Sequence, residues 1–179
     1  THMLANDHID LDVRLARLEE AIKLVYASTY HKGAKAYVAS TPSNIEDERM
    51  AVVIQELVGR EVNGRFYPHI SGAARSRNHY PVAPLKAEDG IAAVCIGLGR
   101  QVASGEKCLR FSPGQPKRIH QFHSTESMLE TSQTSFWAIP MGASEKPVSP
   151  DEAANLINLS LRDAESDGRL GLVGSTYIM

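Results

Sequence analysis

Cysteine is scarce in this sequence, which contains only Cys95 and Cys108 among 179 residues. Both lie in apolar, strand-like stretches, so we expect them to be small hydrophobic core residues rather than partners in a disulfide or a metal site. No secretory signal is visible either. The scarcity of cysteine and the missing signal favour a chain that works in the reducing cytoplasm.

The sequence also lacks a strong excess of charge and a long hydrophobic run. Nineteen Lys and Arg against 21 Asp and Glu leave a formal charge of −2, and the longest basic cluster is Lys117-Arg118. We therefore expect no nucleic acid and no anionic membrane among its partners. No apolar run approaches the roughly 20 residues that span a bilayer. The length favours one domain, residues 4–179, after a tag remnant at residues 1–3.

Common catalytic motifs are missing too. Gly97-Leu98-Gly99 is followed by Val102, where a dinucleotide fingerprint needs Gly or Ala, and no Gly-Lys-Ser/Thr ends a Walker loop after it. There is no Gly-x-Ser-x-Gly. His120 and His123 are three residues apart, but two ligands do not make a metal site. The motifs therefore assign no catalytic residue and no metal ligand.

The clearest element that is present is a helix near the start of the chain. An apolar stripe recurs at steps of four and three, and Asp10 is placed to cap its first turn. We expect helix over residues 11–38 with a break near Ser28, and we expect Lys32-Gly33 to end this helix or a short second one. The stripe consists of Leu11, Leu15, Leu18, Ile22 and Val25.

Strands follow the helix. β-branched residues favour a buried strand from Met50 to Val58, and Asn63-Gly64 predicts a hairpin with a return strand at residues 65–67. Further strands are predicted within IAAVCIGLG, KCLRFS, QTSFWAIPM and the closing RLGLVGSTYIM. Ser149-Pro150 reads as the start of a last helix, ending at Asp167-Gly168. Strands and helices mix without regular alternation, so the expected class is α+β.

Four segments resemble one known family when they are taken in order. They are AIKLVYASTYHKGAKAY, MAVVIQELVG, YPHISGAARSRNHYP and EDGIAAVCIGLGRQVASGEKCLRFSP. The order resembles the nucleotide-binding domain of phosphoenolpyruvate synthase and pyruvate phosphate dikinase. There a helix ending in Val-Tyr-Ala-Ser precedes a Val-Gln-x-Met-Val strand, a Ser-Gly-Val-x-Phe-Ser/Thr-Arg-Asn strand and a Gly-Leu-Gly-Glu loop. The resemblance covers roughly residues 15–115.

This resemblance implies an ATP-grasp-like subdomain with a mixed or antiparallel sheet and packed helices. In the complete parent domain such a fold clamps ATP and Mg²⁺. An extended segment offers alternating N–H and C=O groups to the adenine edge, while apolar neighbours sandwich the ring. By resemblance, the adenine strand consists of Gln55, Glu56, Leu57 and Val58. The end of the following strand, near the nucleotide, is matched by Ser76 and Arg77, and a guanidinium there suits phosphate oxygens.

Two features separate this chain from the complete family pattern. Gly97-Leu98-Gly99 matches the family's Gly-Leu-Gly and should form a tight strand exit beside the nucleotide, but Arg100 replaces the Glu that follows. The family's N-terminal subdomain, its Gln-x-Arg strand and its Thr-Ser-His phosphocarrier segment have no counterpart. We therefore expect a portion of a longer enzyme that is inactive alone.

The resulting expectation is the ATP-binding portion of a phosphoenolpyruvate synthase-like phosphotransferase. In the parent protein, ATP would phosphorylate a histidine and the phosphohistidine would phosphorylate pyruvate. The expected partners are adenine nucleotide and the remaining domains of the parent chain. The edge after NGRFY is a candidate for pairing with a second subunit in a homo-oligomer. The alternative is a non-catalytic nucleotide-sensing or interaction domain derived from the same fold, and Arg100 favours it. A third possibility is an unrelated α+β domain.

Overall fold

The computed structural model describes residues 1–41, 49–142, 146–171 and 173–174. Backbone contacts divide the chain into two compact units, Thr1–Val58 with Ile139–Leu156, and Gly59–Ala138 with Ile157–Met179. Helices and antiparallel strands are both present, so the predicted α+β class is confirmed. No helix among the described residues is long and apolar enough to cross a membrane.

Five α-helices and seven strands form the fold of the described residues. The helices are α1 (Leu11–Ser28), α2 (Lys32–Ala39), α3 (Arg100–Ser104), α4 (Thr125–Thr131) and α5 (Leu161–Ser166). The strands are β1 (Arg60–Val62), β2 (Arg65–Tyr67), β3 (Ser71–Arg75), β4 (Ile91–Cys95), β5 (Leu109–Phe111), β6 (Ser135–Pro140) and β7 (Ile157–Ser160). Short 3-10 helices lie at Ala87–Asp89, His120–Phe122 and Glu152–Asn155.

The first unit begins with the predicted helix pair. Asp10 caps α1, because its side chain accepts a hydrogen bond of 2.9 Å from the Asp12 N–H, and the break falls after Ser28 as expected. The prediction that Lys32-Gly33 ends a helix is wrong, since α2 begins at Lys32. The apolar stripe of α1 is only partly covered: Leu11 is 65% exposed, although Ala21 is buried.

The second unit contains two sheets. Its four-stranded sheet has the order β1-β2-β6-β7, and its three-stranded sheet has the order β3-β4-β5. The predicted hairpin is confirmed: Asn63 and Gly64 adopt φ of 51° and 73°, as a two-residue turn of this kind requires. The return strand β2 lies between two neighbours, and β3, which follows it, is an end strand. Pairing of a second subunit along that edge stays a prediction.

The core of the second unit is built where the four-stranded sheet meets α5. Fully buried Tyr67 and Phe136 pack with their ring centroids 4.7 Å apart. The other members of this cluster are Ala138, Ala164 and Leu170, with Ile96, Ile157, Leu159 and Leu161 packed against them. Burial of these groups, rather than local propensity, therefore holds the hairpin, β6 and α5 together.

Three predicted elements are wrong in position or kind. Residues 50–58 form no strand, and most of them are exposed, so the predicted buried strand is absent. The single helix predicted to run from Pro150 to Asp167 is instead a 3-10 helix, β7 and α5. Of the predicted closing strand, residues 169–171 and 173–174 are not in a strand. Residues 172 and 175–179 of that prediction lie outside the described residues.

Candidate functional site

The segment predicted to bind adenine is open to solvent. Gln55 and Glu56 are exposed, and Leu57 and Val58 are 37% and 87% exposed. None of the backbone groups of residues 51–58 is hydrogen-bonded to another residue that the structure describes. The segment therefore presents N–H and C=O groups without partners in the described part of the chain, together with apolar side chains. These are the groups that adenine recognition uses, although no strand forms here.

Ser76 and Arg77 lie directly after β3, whose last paired residue, Arg75, faces Ile91. Both side chains are exposed. The backbone just beyond them is fixed, because the Asn78 N–H donates to the Ala87 carbonyl at 2.8 Å. The strand end thus holds the Arg77 backbone in place while its guanidinium reaches solvent, an arrangement suited to meeting an anion.

Gly97 forms a sharp corner after β4. Its φ is +81°, and a Cβ there would lie 2.7 Å from the Trp137 carbonyl oxygen. The next residue fixes the corner, since the Leu98 N–H donates to that same carbonyl at 2.9 Å and its side chain is buried. The predicted tight strand exit is therefore confirmed, and glycine is required there by both conformation and contact.

A short helix follows the corner, which the sequence analysis did not foresee. Helix α3 starts at Arg100, directly after Gly99. Arg100 places its guanidinium 5.1 Å from the ring centroid of Trp137. The next residue, Gln101, is 2% exposed, and its Nε2 donates to the Ser135 carbonyl at 3.0 Å. The Arg that replaces the family's Glu thus stacks on an aromatic ring, which attracts a cation.

A buried ionic cluster joins β2 to the segment that follows α5. The Asp167 carboxylate, with a fully buried side chain, faces the Arg65 Nε at 3.6 Å. It also accepts hydrogen bonds of 2.7 Å from the Tyr67 hydroxyl and from the Asn63 side chain. Arg169 completes the cluster, donating to the Tyr67 carbonyl at 3.1 Å with its guanidinium 5.4 Å from the Tyr67 ring centroid.

The cluster shifts the pKa of one member, Tyr67, and contributes to the pKa shift of His69, which feels the charge of Arg169. Burial, and then the hydrogen bond to Asp167, raises the pKa of Tyr67 far above its usual value of 10.0. Burial, and then the positive charges of Arg169 and Arg60, lowers the pKa of His69. The sequence analysis missed the cluster, because its members are about 100 residues apart along the chain and follow no local motif. Only the pairing of the hairpin with the region around α5 brings them together.

The structure assigns the predicted site residues to different units. Gln55, Glu56, Leu57 and Val58 belong to the first unit, whereas Ser76 and Arg77 belong to the second. Within the described ranges, no group of three or more His, Cys, Asp or Glu residues is placed to hold a metal ion. Each unit therefore exposes one predicted feature: the first a backbone segment without hydrogen-bond partners among the described residues, and the second an arginine at a strand end.

Comparison with known families gives these features a context. The family described as pyruvate phosphate dikinase, AMP/ATP-binding domain, matches residues 10–167. No curated protein and no solved structure matches the chain. The family match includes all six predicted site residues, the glycine corner and the buried cluster as far as Asp167. The chain therefore belongs to the AMP/ATP-binding domain family of pyruvate phosphate dikinase.

Proposed function

We propose that this chain is the ATP-binding portion of a phosphoenolpyruvate synthase-like phosphotransferase. In the complete parent protein, ATP would phosphorylate a histidine, and the phosphohistidine would then phosphorylate pyruvate. The observation that carries the proposal is the family match over residues 10–167. The remaining domains of the parent chain would supply the phosphocarrier and the acceptor site.

The adenine ring would bind along Gln55, Glu56, Leu57 and Val58. Their backbone groups are free of hydrogen bonds to other described residues, so an adenine edge can pair with them without breaking a bond already made. Exposed Val53 and Ile54, at 77% and 61%, lie just before them. Covering such side chains with a flat ring removes apolar surface from water, and this burial would add to the affinity.

The phosphates would bind at the end of β3 through Ser76 and Arg77. A guanidinium forms short, charge-assisted hydrogen bonds with phosphate oxygens and presents two parallel donors to them. Mg²⁺ would enter together with the nucleotide, held mainly by the phosphate oxygens, as is usual for Mg²⁺ in phosphoryl-transfer sites. The ion would neutralise phosphate charge there, and the residues of this chain would bind and orient the nucleotide.

A thermal-shift titration tests nucleotide binding directly. A ligand at about 100 times its Kd stabilises a protein by about 2.7 kcal/mol, which corresponds to roughly 5–10 °C for a chain of this length. We expect Mg-ATP and Mg-ADP to raise the Tm, whereas GTP should leave it unchanged because its base presents a different edge. Equal shifts with ATP and GTP would contradict an adenine-specific site.

Two arginines supply a matched pair of variants: Arg75 is the last residue of β3, and Arg77 lies just after the strand. Arg77→Gln should weaken ATP binding about 10- to 100-fold, the value of a lost hydrogen bond to a charged group. Adenosine binding should be unchanged, since adenosine carries no phosphate. Arg75→Gln removes the same charge two residues earlier and should bind ATP nearly as the parent chain does. An equal loss of ATP affinity in the two variants would show that Arg77 acts only through its positive charge and not through a direct contact with phosphate.

A nucleotide-sensing or interaction domain without catalysis is the second candidate. The observation that favours it is Arg100, which reverses the charge of the family's Glu and stacks on Trp137. Incubation of the full-length parent protein with Mg-ATP and pyruvate distinguishes the two. Phosphorylated pyruvate supports the phosphotransferase, whereas ATP binding without product supports the sensing domain.

A further inference from the structure

Each of the two cysteines of the chain lies at the same end of a neighbouring strand pair: Cys95 ends β4, and Cys108 directly precedes β5. In the antiparallel pair of β4 and β5, Ala93 is opposite Arg110 and Val94 is opposite Leu109. Continuing the same register by one residue places Cys95 opposite Cys108. Directly opposite residues of an antiparallel pair lie on the same face of the sheet, so their side chains are neighbours.

The hydrogen bonds of Gln121 identify the kind of pair that the cysteines form. The Gln121 side chain accepts from the Arg110 N–H at 2.7 Å and donates to the Cys108 carbonyl at 3.0 Å. The backbone groups of these alternate residues therefore point away from β4, which makes Cys95 and Cys108 a non-hydrogen-bonded pair. Such pairs have Cα atoms about 4.5 Å apart, within the roughly 4.4–6.8 Å that disulfides span.

The surroundings of the two thiols agree with this geometry. Cys95 and Cys108 are 4% and 2% exposed, and both are free thiols. The Cys95 thiol donates to the Leu98 carbonyl at 3.8 Å. Burial, together with the neighbouring Cys108, raises the pKa of Cys95 to about 11. Reaction at neutral pH is therefore slow, because the thiolate is the reactive form.

We propose that Cys95 and Cys108 are a redox modification site that closes to a cross-strand disulfide when the protein meets a peroxide or a small-molecule disulfide. With hydrogen peroxide, one thiol is oxidised to a sulfenic acid and one water leaves. The second thiol then displaces the hydroxyl group, a second water leaves and the S–S bond forms. In sum, two S–H bonds are lost and the peroxide is reduced to two waters. With a small-molecule disulfide, one protein thiol displaces the first small thiol to form a mixed disulfide, and the second protein thiol displaces the other.

The disulfide would join the two ends of the segment that contains the glycine corner. Residues 96–107 lie between the two cysteines along the chain and include Gly97, Leu98 and all of α3. Closing a loop of this size restricts the unfolded chain, which stabilises the native state. The inference concerns the thiols alone and does not depend on nucleotide binding.

The test is oxidation of the folded chain with hydrogen peroxide or glutathione disulfide, followed by alkylation under denaturing conditions and mass spectrometry. We expect the intact mass to fall by two hydrogen masses, no thiol to take up the alkylating reagent, and one cross-linked peptide pair to contain Cys95 and Cys108. The oxidised chain should melt roughly 6–12 °C above the reduced chain, and dithiothreitol should reverse both changes.

Two variants keep the result specific. Cys95→Ala and Cys108→Ala each leave one thiol, which can form only a mixed disulfide with glutathione. After a mild reductant has released that glutathione, the thiol should take up the alkylating reagent. Two free thiols in the oxidised folded parent chain, under conditions that oxidise the denatured chain, would overturn the proposal. So would a disulfide between two copies, or oxygen addition to each sulfur without loss of the two hydrogens.

Discussion

At the scale of single residues, Asp167 is a buried charged side chain of the second unit with three partners. Its buried carboxylate accepts hydrogen bonds from the Tyr67 hydroxyl and the Asn63 amide, and it forms an ion pair with the Arg65 guanidinium. Asp167→Asn keeps the shape, but it removes the charge and turns an NH₂ group toward these donors. Removing one partner of a buried ion pair costs about 3 kcal/mol. We expect that loss in the free energy of unfolding, measured with urea.

Asp163 is the control for this prediction, because it faces the same arginine at the same distance. Its side chain is 41% exposed, and its Oδ1 lies 3.6 Å from the Arg65 Nη1. Exposed ion pairs contribute at most about 1 kcal/mol, so Asp163→Asn should be much milder than Asp167→Asn. Equal losses would show that burial of Asp167 has no special role.

Tyr67 makes stability depend on alkaline pH. Its pKa is raised above the usual 10.0, first by burial and then by Asp167. The folded chain therefore holds the phenol proton more tightly than the unfolded chain. This contribution is complete below pH 10.0 and is lost as the pH rises further, by up to about 1.4 kcal/mol per pH unit. Tyr67→Phe cannot lose the proton, so its unfolding free energy should fall less steeply in the same window. Parallel curves for the two proteins would contradict the buried phenol.

At the scale of elements, glycine can be required by backbone conformation or by a close contact, and the corner after β4 has both. Gly64 and Gly97 have similar φ, +73° and +81°, but a Cβ at Gly64 meets nothing within 4 Å, whereas one at Gly97 lies 2.7 Å from the Trp137 carbonyl oxygen. Gly64→Ala should cost about 1 kcal/mol for conformation alone. Gly97→Ala adds the cost of overpacking and should reach about 3 kcal/mol. Urea unfolding measures both, and equal costs would argue against the close contact.

Several elements were predictable because their signals are local. The Asp10 cap and the apolar stripe determine α1, and Asn63-Gly64 determines the hairpin, since each signal acts within a few residues. Strands β4, β5 and β6 were predicted from short apolar runs. Such runs can be recognised without knowing which strand pairs with them, because a buried strand favours β-branched and aromatic residues whatever its neighbour is.

The elements that the sequence misplaced depend on distant partners. Ile157 and Leu159 alternate as in a strand, but Leu156, Ile157 and Leu161 also fit a helix. The pairing of Ile157 with Ala138 decides for β7, and Ser160 then caps a new helix. Residues 50–58 have strand-like composition, yet none of the described strands pairs with them. The backbone hydrogen bonds of a strand are made to a neighbouring strand, so composition alone does not form one.

At the scale of the whole molecule, the family match does not follow the division of the chain into two compact units. The match runs through both units, so the order of segments carried the family assignment even where the predicted strand was wrong. The buried cluster and the Arg100 stack could not be predicted, because each joins residues from separate elements that are distant along the chain. The roles of Gln55, Glu56, Leu57, Val58, Ser76 and Arg77 stay predictions.

Hydrogen exchange tests these roles across the chain. Strand β4 has a neighbour on each side, so its amides should exchange slowest, whereas those of residues 51–58 lack backbone partners among the described residues and should exchange fast. At Mg-ATP about 100 times its Kd, amides that bind the nucleotide should slow by up to about 100-fold. We expect this slowing in residues 55–58, with β4 unchanged and GTP without effect. Slowing confined to other residues, alongside a normal thermal shift, would move the adenine site elsewhere and leave ATP binding intact.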